Sequence, residues 1–562
     1  MLSNLYKKLT KNNYIIIDKV YLKKGNIKVR FTHDVYPAFC KLNDYLDFIK
    51  QLVENTHNIY QNCGIRDEEF KTFVYYMFIY FLLHWDNINY SIQTQWCSWI
   101  NFKVNINKYL KENDIIILDY IRNIEMYEKY IRKNFNNKIE VYNKNKLKSI
   151  FLKNYNGLLI YLYFLIRAII KNFIRKPPLL KNKICVMITD YDRYYFSKGF
   201  FNEELFNDEE FGDIMQSLFD ISINKENCII LYTKYNYSGL FSYINSLRVD
   251  DKSLFIEDIL NLKLGTKLLK THIKNNDSLN NLNEISYFDD NSEFLLEMYK
   301  DFLRNKLLFI VWIYLSIKEF FSKNKNIYLV VGDSEKNFLF YIINLFKKIE
   351  NNNLKTLAFS HEVITEQDYF YMPLSNNYDD TPDYKFVWNN DVKNLLITKY
   401  NYPPNKIVVF PDPRFLKWKS KKFKKNTLLI VSQGYLEFYN ELLDILTNSN
   451  IIDDLINMGI SIYLKPHPAE YLNIENKKYL DTIKSKFGHK INIIDVLNFI
   501  PEYAIGKDST LLYELYINGT NVYFISANNL FMIDEAIYKK INKSSIYDTL
   551  LEIKSKKQIN DS

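Results

Sequence analysis

Short β-branched runs alternate with helix-like runs from Lys183 onward, and this alternation constrains the fold more than any other feature of the chain. Buried strand patterns occur at 183–193 (KICVMITDYDR) and 227–233 (NCIILYT). Residues 326–348 combine a strand, a Gly-Asp-Ser turn and an amphipathic helix, and 354–363 (LKTLAFSHEV) add another strand. Strands that alternate with helices predict a parallel, doubly wound sheet.

A second unit of the same kind follows. It begins with NTLLIVSQG at 426–434 and ends with NVYFIS at 521–526, and the two units meet near 411–425. At 562 residues the chain is too long for a single core. We therefore predict an α/β protein with two Rossmann-like domains facing each other and an additional, mainly helical N-terminal domain. The predicted bounds are 1–175 for the helical domain, 181–415 for the first Rossmann-like domain and 424–552 for the second.

Two strand ends in the second unit carry polar side chains suited to an anion. In YLKPHPAEY at 463–471, prolines on both sides of His467 prevent the strand from continuing, so His467 lies on a stiff turn. About 40 residues later, Ser509 and Thr510 open a helix that should end at Gly519. Each signal alone has an ordinary explanation, a solvated histidine or a helix cap. Together they predict one phosphate site, because ligands bind beyond the carboxyl ends of parallel strands.

The net charge of +9 is concentrated in one place, since RFLKWKSKKFKK at 414–425 has seven basic residues and no acid. A solvated linker and a contact with an anionic lipid or substrate both explain this stretch. The five cysteines form no CxxC pair, and the first residues lack the apolar core of a signal peptide. We expect a cytoplasmic protein without a zinc site.

Two apolar runs, at 72–85 and 156–166, are shorter than the roughly 20 residues that span a bilayer. Buried helices are the first expectation for both. An interfacial helix is the alternative, because aromatic residues beside basic ones suit a headgroup boundary. This alternative would place the protein peripherally on the inner face of the membrane. The basic residues that suggest it are Arg167, Lys171, Arg175 and Lys176.

Five stretches occur in an order and spacing that resemble the GT-B class of glycosyltransferases: VVGDSEKN, LKTLAFSHEV, NYPPNKIVVFPDPRF, YLKPHP and KDSTLLYELYINGTNVYFI. Within that class the chain looks most similar to CDP-glycerol glycerophosphotransferases and to the sialyl- and Kdo-transferases of capsule synthesis. The resemblance covers about residues 183–545.

The resemblance implies specific site residues. His467, Ser509 and Thr510 would hold the donor phosphate, and Glu514 would accept hydrogen bonds from the ribose hydroxyls. The predicted nucleotide site also includes the end of the preceding strand, at Gln433 and Gly434.

For the general base, the resemblance points to His361, although Glu362 follows it where the glycerophosphotransferases have glycine. The capsular sialyltransferases use a carboxylate instead, for which Asp190 and Asp192 are the candidates. The spacing of these two aspartates also matches a metal-binding pair, but a surface turn is the preferred interpretation and no metal is expected.

The implied activity is transfer of a sugar or glycerophosphoryl group from a nucleotide donor, CMP- or CDP-linked, to a surface glycan or lipid-linked acceptor. A base for the acceptor hydroxyl and stabilisation of the leaving phosphate suffice for this reaction, so no cofactor is expected. One alternative is a nucleotide-sugar 2-epimerase, which shares the serine-rich helix and the following acid. The other is a non-catalytic scaffold that binds polyanions. Nucleic acid is not an expected partner.

Overall fold

The computed structural model describes residues 14–17, 21–24, 27–30, 41–83, 95–111, 114–119, 124–135, 139–142, 146–189, 209–233, 253–275, 285–332, 337–350, 352–359, 381–410, 418, 421–432, 436–466, 470, 474–507, 509–525, 542–543 and 545–561. The statements below concern these residues.

Helices dominate the part of the chain before residue 175. They are α1 (Leu46–Glu54), α2 (Asp67–Leu83), α3 (Gln95–Tyr109), α4 (Ile124–Asn134) and α5 (Lys146–Ile174). The same region also forms a mixed five-stranded sheet in the order β3-β2-β1-β4-β5, which the sequence pattern did not predict. Its strands are β1 (Tyr14–Ile17), β2 (Tyr21–Lys24), β3 (Ile27–Arg30), β4 (Ile115–Asp119) and β5 (Ile139–Tyr142).

The first predicted Rossmann-like unit contains a sheet of seven parallel strands. They are β6 (Cys185–Thr189), β7 (Cys228–Tyr232), β8 (Leu254–Phe255), β9 (Leu329–Gly332), β10 (Lys355–Phe359), β11 (Tyr384–Val387) and β12 (Ile407–Val409). Their order is β12-β11-β10-β9-β6-β7-β8, so the direction of winding reverses between β6 and β9. The helices are α6 (Glu209–Phe219), α7 (Ile256–Ile259), α8 (Leu262–Asn275), α9 (Asp290–Asn305), α10 (Leu307–Lys323), α11 (Phe338–Ile349) and α12 (Asn390–Thr398).

The second unit has a parallel sheet of six strands. They are β13 (Phe423–Val431), β14 (Ser461–Lys465), β15 (Ile491–Ile493), β16 (Ile500–Gly506), β17 (Asn521–Ile525) and β18 (Asn542–Lys543). The order β15-β14-β13-β16-β17-β18 reverses between β13 and β16. The helices are α13 (Leu436–Asn448), α14 (Ile451–Asn457), α15 (Ile474–Phe487), α16 (Thr510–Ile517) and α17 (Ile546–Asp561). Both sheets therefore have the strand order of a doubly wound Rossmann-like fold, which confirms the predicted fold class.

Successive residues of these strands face opposite sides of their sheet, as the two-residue period of a strand requires. Leu428 and Ile430 of β13 pack into a cluster with the helices of the second unit. Leu429 and Val431 instead join a larger cluster, to which α2, α9, α10 and α11 also contribute. Because both faces of each parallel sheet are buried, their strands are apolar in nearly every position. This explains why they appear as continuous hydrophobic runs in the sequence.

The helices before residue 175 pack directly on those of the first Rossmann-like unit. Tyr80 of α2 stacks on Tyr341 of α11, with ring centroids 4.4 Å apart. The buried Tyr314 hydroxyl of α10 donates to Glu69 at 2.8 Å. The run at 72–85 thus lies largely within α2, whose side chains are mostly buried, in agreement with a buried helix. Among the residues that the structure describes, no helix is long and apolar enough to cross a membrane.

The interpretation of Arg167, Lys171 and Arg175 as lipid-binding residues is wrong. Arg167 is 0% exposed and Lys171 is 2% exposed. Their partners are two acids that directly follow β8: Arg167 pairs with Glu257, and Lys171 pairs with Asp258. Arg175 Nη2 lies 3.7 Å from Asp258 Oδ2. These cations face the protein interior because acids about 90 positions later in the sequence neutralise them there.

Candidate functional site

The winding reversal of the second sheet places the end of β13 beside the end of β16. Val431 pairs with Gly506 in this register. A Cβ atom on Gly506 would lie 2.6 Å from the Val431 carbonyl oxygen and 3.1 Å from Leu512 Cδ1. Glycine is therefore required for the close approach of the two strands and the following helix. The chain then turns into α16, whose N-terminus lies at the carboxyl edge of the sheet.

Helix α16 begins as the sequence predicted. Ser509 is its N-cap residue, with an extended backbone (φ −106°, ψ 128°), and its side chain makes no capping hydrogen bond. Ser509 is 3% exposed, and the first turn of the helix contains no acid. The helix ends at Ile517, and Gly519 adopts φ +88°, which confirms the predicted glycine stop. The free N–H groups of a helix N-terminus attract anions, so this end of α16 suits a phosphate.

Glu514 lies one turn into α16 and is 3% exposed. Its Oε2 accepts a hydrogen bond of 2.9 Å from the indole Nε1 of Trp418. Trp418 belongs to the basic stretch at 414–425, and it is 2% exposed. No sequence signal connected Trp418 with Glu514, because the two residues are 96 positions apart.

The residue next to Glu514 contacts the first Rossmann-like unit. The Tyr513 ring stacks on Trp388, with centroids 5.6 Å apart and an interplanar angle of 28°. The Tyr513 hydroxyl accepts a 2.8 Å hydrogen bond from Asn389 Nδ2. Burial raises the pKa of Tyr513 to about 12, while the bond from Asn389 opposes this shift. Tyr513 is therefore protonated at neutral pH. The carboxyl end of β11 thus meets the helix that begins at the predicted phosphate site.

A buried carboxylate lies at the end of β13. Both oxygens of Glu470 accept hydrogen bonds from the Ser432 hydroxyl, at 3.1 and 3.0 Å, and Tyr439 OH donates to Oε2. Sequence reasoning missed this cluster, since a glutamate in a turn is usually exposed. Strand β14 stops at Lys465, before Pro466, as predicted. Lys465 and Glu470 both lie at the carboxyl end of β13. His467 lies outside the described residues.

The carboxyl edge of the first sheet has its own polar group. Asn337 Nδ2 donates to Thr233 Oγ1 at 3.1 Å, and its side-chain oxygen caps α11. Thr233 Oγ1 donates to the carbonyl oxygen of Thr189, the last residue of β6. Asn337 belongs to VVGDSEKN, one of the stretches that carry the family resemblance. The sequence did not single out either side chain.

Most of the remaining predicted site residues fall outside the part of the chain that the structure describes. This applies to Asp190, Asp192, His361, Gln433 and Gly434, and to the side chain of Thr510. Their positions in the sequence follow the described ends of β6, β10 and β13. Of the predicted nucleotide-site residues with described side chains, Ser509 is the N-cap of α16 and Glu514 lies one turn into the helix.

Comparison with solved structures returns proteins of low similarity. The UDP-GlcNAc 2-epimerase from Methanocaldococcus jannaschii is 14% identical, with a TM-score of 0.36 over 66% of this chain and 91% of that chain. MurG from Acinetobacter baumannii is 9% identical, with a TM-score of 0.30 over 66% of this chain and 90% of that chain. With TM-scores this low, these likenesses carry no argument about substrate or reaction.

No family model matches the chain. In contrast, a protein from Methanocaldococcus jannaschii is 42% identical over 543 residues, which cover 95% of this chain and 98% of that protein. Similarity of this extent covers the N-terminal region and both Rossmann-like units. The chain therefore belongs to the same family as the uncharacterized protein MJ1060 of Methanocaldococcus jannaschii.

Proposed function

We propose that this protein is a glycosyltransferase, or a related glycerophosphotransferase, that uses a nucleotide-activated donor. The donor is CMP- or CDP-linked and the acceptor is a surface glycan or lipid-linked glycan. The observation that carries the proposal is the N-terminus of α16, where a buried serine that does not cap its own helix lies five positions before a buried glutamate. An anion at the helix start and a hydroxyl-rich group beside the carboxylate match the phosphate and ribose of a nucleotide.

The proposed chemistry divides between the two units. In the second unit, His467, Ser509 and the helix N-terminus stabilise the negative charge that develops on the departing nucleotide phosphate. From the first unit, His361 removes the proton of the acceptor hydroxyl. The acceptor oxygen then attacks the donor at its carbon or phosphorus atom, and the bond between that atom and the departing nucleotide breaks. Asp190 or Asp192 takes the role of base if His361 does not.

Nucleotide binding tests the first half of the proposal. A thermal-shift panel of CMP, CDP, UDP and GDP should give a rise in melting temperature with one or two of them, because a ligand at 100 times its Kd stabilises the folded state by about 2.7 kcal/mol. Ser509→Ala should weaken binding by roughly 1–3 kcal/mol, the usual cost of a lost hydrogen bond to a charged group. Ser485→Ala is the matched control, since Ser485 is an exposed serine on α15 that bonds only within its helix.

Catalysis tests the second half. A transferase releases its nucleotide only when an acceptor is present, whereas an epimerase interconverts donor sugars without one. His361→Ala should lower turnover by roughly 100-fold while nucleotide affinity stays near that of the wild type. Loss of activity in Asp190→Asn or Asp192→Asn, with His361→Ala active, would assign the base to a carboxylate. Sugar interconversion in the absence of acceptor would replace the transferase proposal by the epimerase.

The lipid-linked acceptor and a peripheral membrane contact belong to the same proposal. With Arg167, Lys171 and Arg175 in internal ion pairs, the exposed Lys176 and the basic stretch at 414–425 remain as candidates for a lipid contact. Lys422 is exposed there. Cosedimentation with anionic vesicles should decrease as salt rises to physiological strength, and Lys421→Glu with Lys422→Glu should decrease it further. Equal sedimentation of the wild type and this variant would identify the stretch as a solvated linker.

A further inference from the structure

Two consecutive residues of helix α16 accept hydrogen bonds from side chains that lie before the second sheet in the sequence. Glu514 is bonded by Trp418, which lies in the connection between the two Rossmann-like units. Tyr513 is bonded by Asn389 and stacked on Trp388, which follow β11 of the first sheet. The helix that carries the proposed nucleotide contacts is therefore held from outside its own domain.

The bond from Trp418 has the properties of an orienting contact. Both side chains are almost fully buried, and the indole Nε1 to Oε2 distance is 2.9 Å. A tryptophan in a packed interior cannot rotate without displacing its neighbours, so the direction of its N–H group is fixed. The N–H group in turn fixes the orientation of the Glu514 carboxylate. Asn518 Nδ2 donates to the backbone oxygen of Glu514 at 2.7 Å, and this bond stabilises the C-terminal turn of the helix next to Glu514.

We infer that Trp418 is a positioning residue that sets the preference of the site for ribonucleotides over 2′-deoxyribonucleotides. This inference rests on the proposed function, in which Glu514 accepts hydrogen bonds from the ribose hydroxyls. A carboxylate discriminates between a hydroxyl and a hydrogen atom only when its oxygens are held in the correct direction. Trp418 supplies that orientation from the connection between the two units.

The chain offers a matched comparison in Trp388. It is also a buried tryptophan that contacts α16, and it does so by stacking on the Tyr513 ring. Trp418→Phe and Trp388→Phe remove the same atoms from two tryptophans that contact α16 at adjacent residues. The first variant removes the indole donor to the Glu514 carboxylate, and the second removes part of the ring that stacks on Tyr513. A general packing defect should affect both variants alike.

The test measures the affinity of the full chain for CMP, CDP and their 2′-deoxy analogues by calorimetry. The wild type should prefer the ribonucleotide. In Trp418→Phe the ribonucleotide affinity should fall about tenfold while that for the 2′-deoxy analogue changes little, so that the ratio approaches one. Trp388→Phe should keep the wild-type ratio. Glu514→Gln should lose the preference, and adding Trp418→Phe to it should cause no further loss of preference.

Three results would overturn the inference. A wild-type ratio in Trp418→Phe, or equal weakening of both nucleotide types as in Trp388→Phe, would limit Trp418 to packing. Trp418→Met serves as a second variant if Trp418→Phe does not fold, because its flexible apolar side chain fills the space and has neither an N–H nor an O–H group. If the wild type binds none of the four nucleotides, the proposed function fails and this inference fails with it. Normal binding with an unaltered ratio in the variants leaves the proposed function intact and rejects only the role of Trp418.

Discussion

Replacing Arg167 with methionine is the most direct test of how the N-terminal helices are joined to the first Rossmann-like unit. Arg167 of α5 pairs with Glu257, which follows the edge strand β8, and neither side chain is exposed. The guanidinium also lies 4.6 Å from the centre of the Phe164 ring. Methionine has a similar length and helix propensity, so the variant removes the charge with little change in the helix itself.

The expected loss follows from the burial of the pair. Removing one partner of a buried ion pair costs roughly 3–5 kcal/mol, because the remaining charge stays in the interior without its partner. Removing both charges together is often neutral or stabilising. Arg167→Met should therefore be strongly destabilised, whereas Arg167→Met with Glu257→Leu should recover most of the stability.

The pH dependence gives an independent check. Burial raises the pKa of Glu257, and the charge of Arg167 opposes that rise. Without Arg167 the pKa of Glu257 should rise further. An acid whose pKa is higher in the folded than in the unfolded state binds more protons when folded, so the free energy of unfolding falls as pH increases above the unfolded value. The loss in free energy of unfolding of Arg167→Met, relative to the wild type, should thus be largest near neutral pH. It should shrink as pH is lowered toward about 4.5, the ordinary pKa of glutamate.

Urea unfolding followed by circular dichroism at pH 5 and pH 8 measures both effects. Lys50→Met is the control, because Lys50 forms a 3.5 Å pair with Asp47 in which both side chains are exposed, and such a pair contributes little. A loss below about 1 kcal/mol for Arg167→Met at pH 8 would refute the reasoning. A double variant as unstable as the single one would refute it as well.

Three further outcomes are expected. Gly506→Ala should weaken nucleotide binding and lower the melting temperature, because its Cβ would meet the Val431 carbonyl oxygen at 2.6 Å; wild-type behaviour would show that the two strands can separate freely. Glu470→Gln should lower stability by roughly 1–3 kcal/mol in urea unfolding, since an amide cannot accept at both of its positions; no loss would mean that the buried cluster does not need the carboxylate. Burial lowers the pKa of His272 to about 4, so stability should fall as pH is lowered from about 6.5 toward 4, by up to about 3 kcal/mol, and His272→Gln should flatten this slope.

Local sequence patterns predicted the elements that position the site. Prolines ended β14 where expected, and a run of polar N-cap residues started α16 where expected. The apolar strands were recognisable because a sheet covered on both faces needs hydrophobic residues at nearly every position. The order of the strands within each sheet was not predicted and is known only from the structure. Ser509 could be identified in advance as a polar N-cap residue, and Glu514 was implied by the resemblance of the stretch KDSTLLYELYINGTNVYFI to the GT-B class.

Contacts between distant segments could not be derived in the same way. In the N-terminal sheet, β1 pairs with β4 about 100 residues later, and nothing in either short strand specifies the partner. Arg167 and Lys171 have the composition of an interfacial helix, yet Glu257 and Asp258 bury them. Whether a cation faces lipid, water or the interior depends on where its counter-charge lies in space.

Trp418 shows the same division between sequence and structure. By itself, the sequence places it among seven basic residues, a context that indicates a solvated or anion-binding surface. The tertiary structure turns its indole inward to the carboxylate of Glu514. Secondary structure and its apolar faces depend on residue spacing within one segment, so the sequence determined them. A polar or aromatic side chain can be buried only where a residue distant in sequence supplies the opposite charge or the hydrogen-bond partner. The folding of the whole chain decides which residue that is.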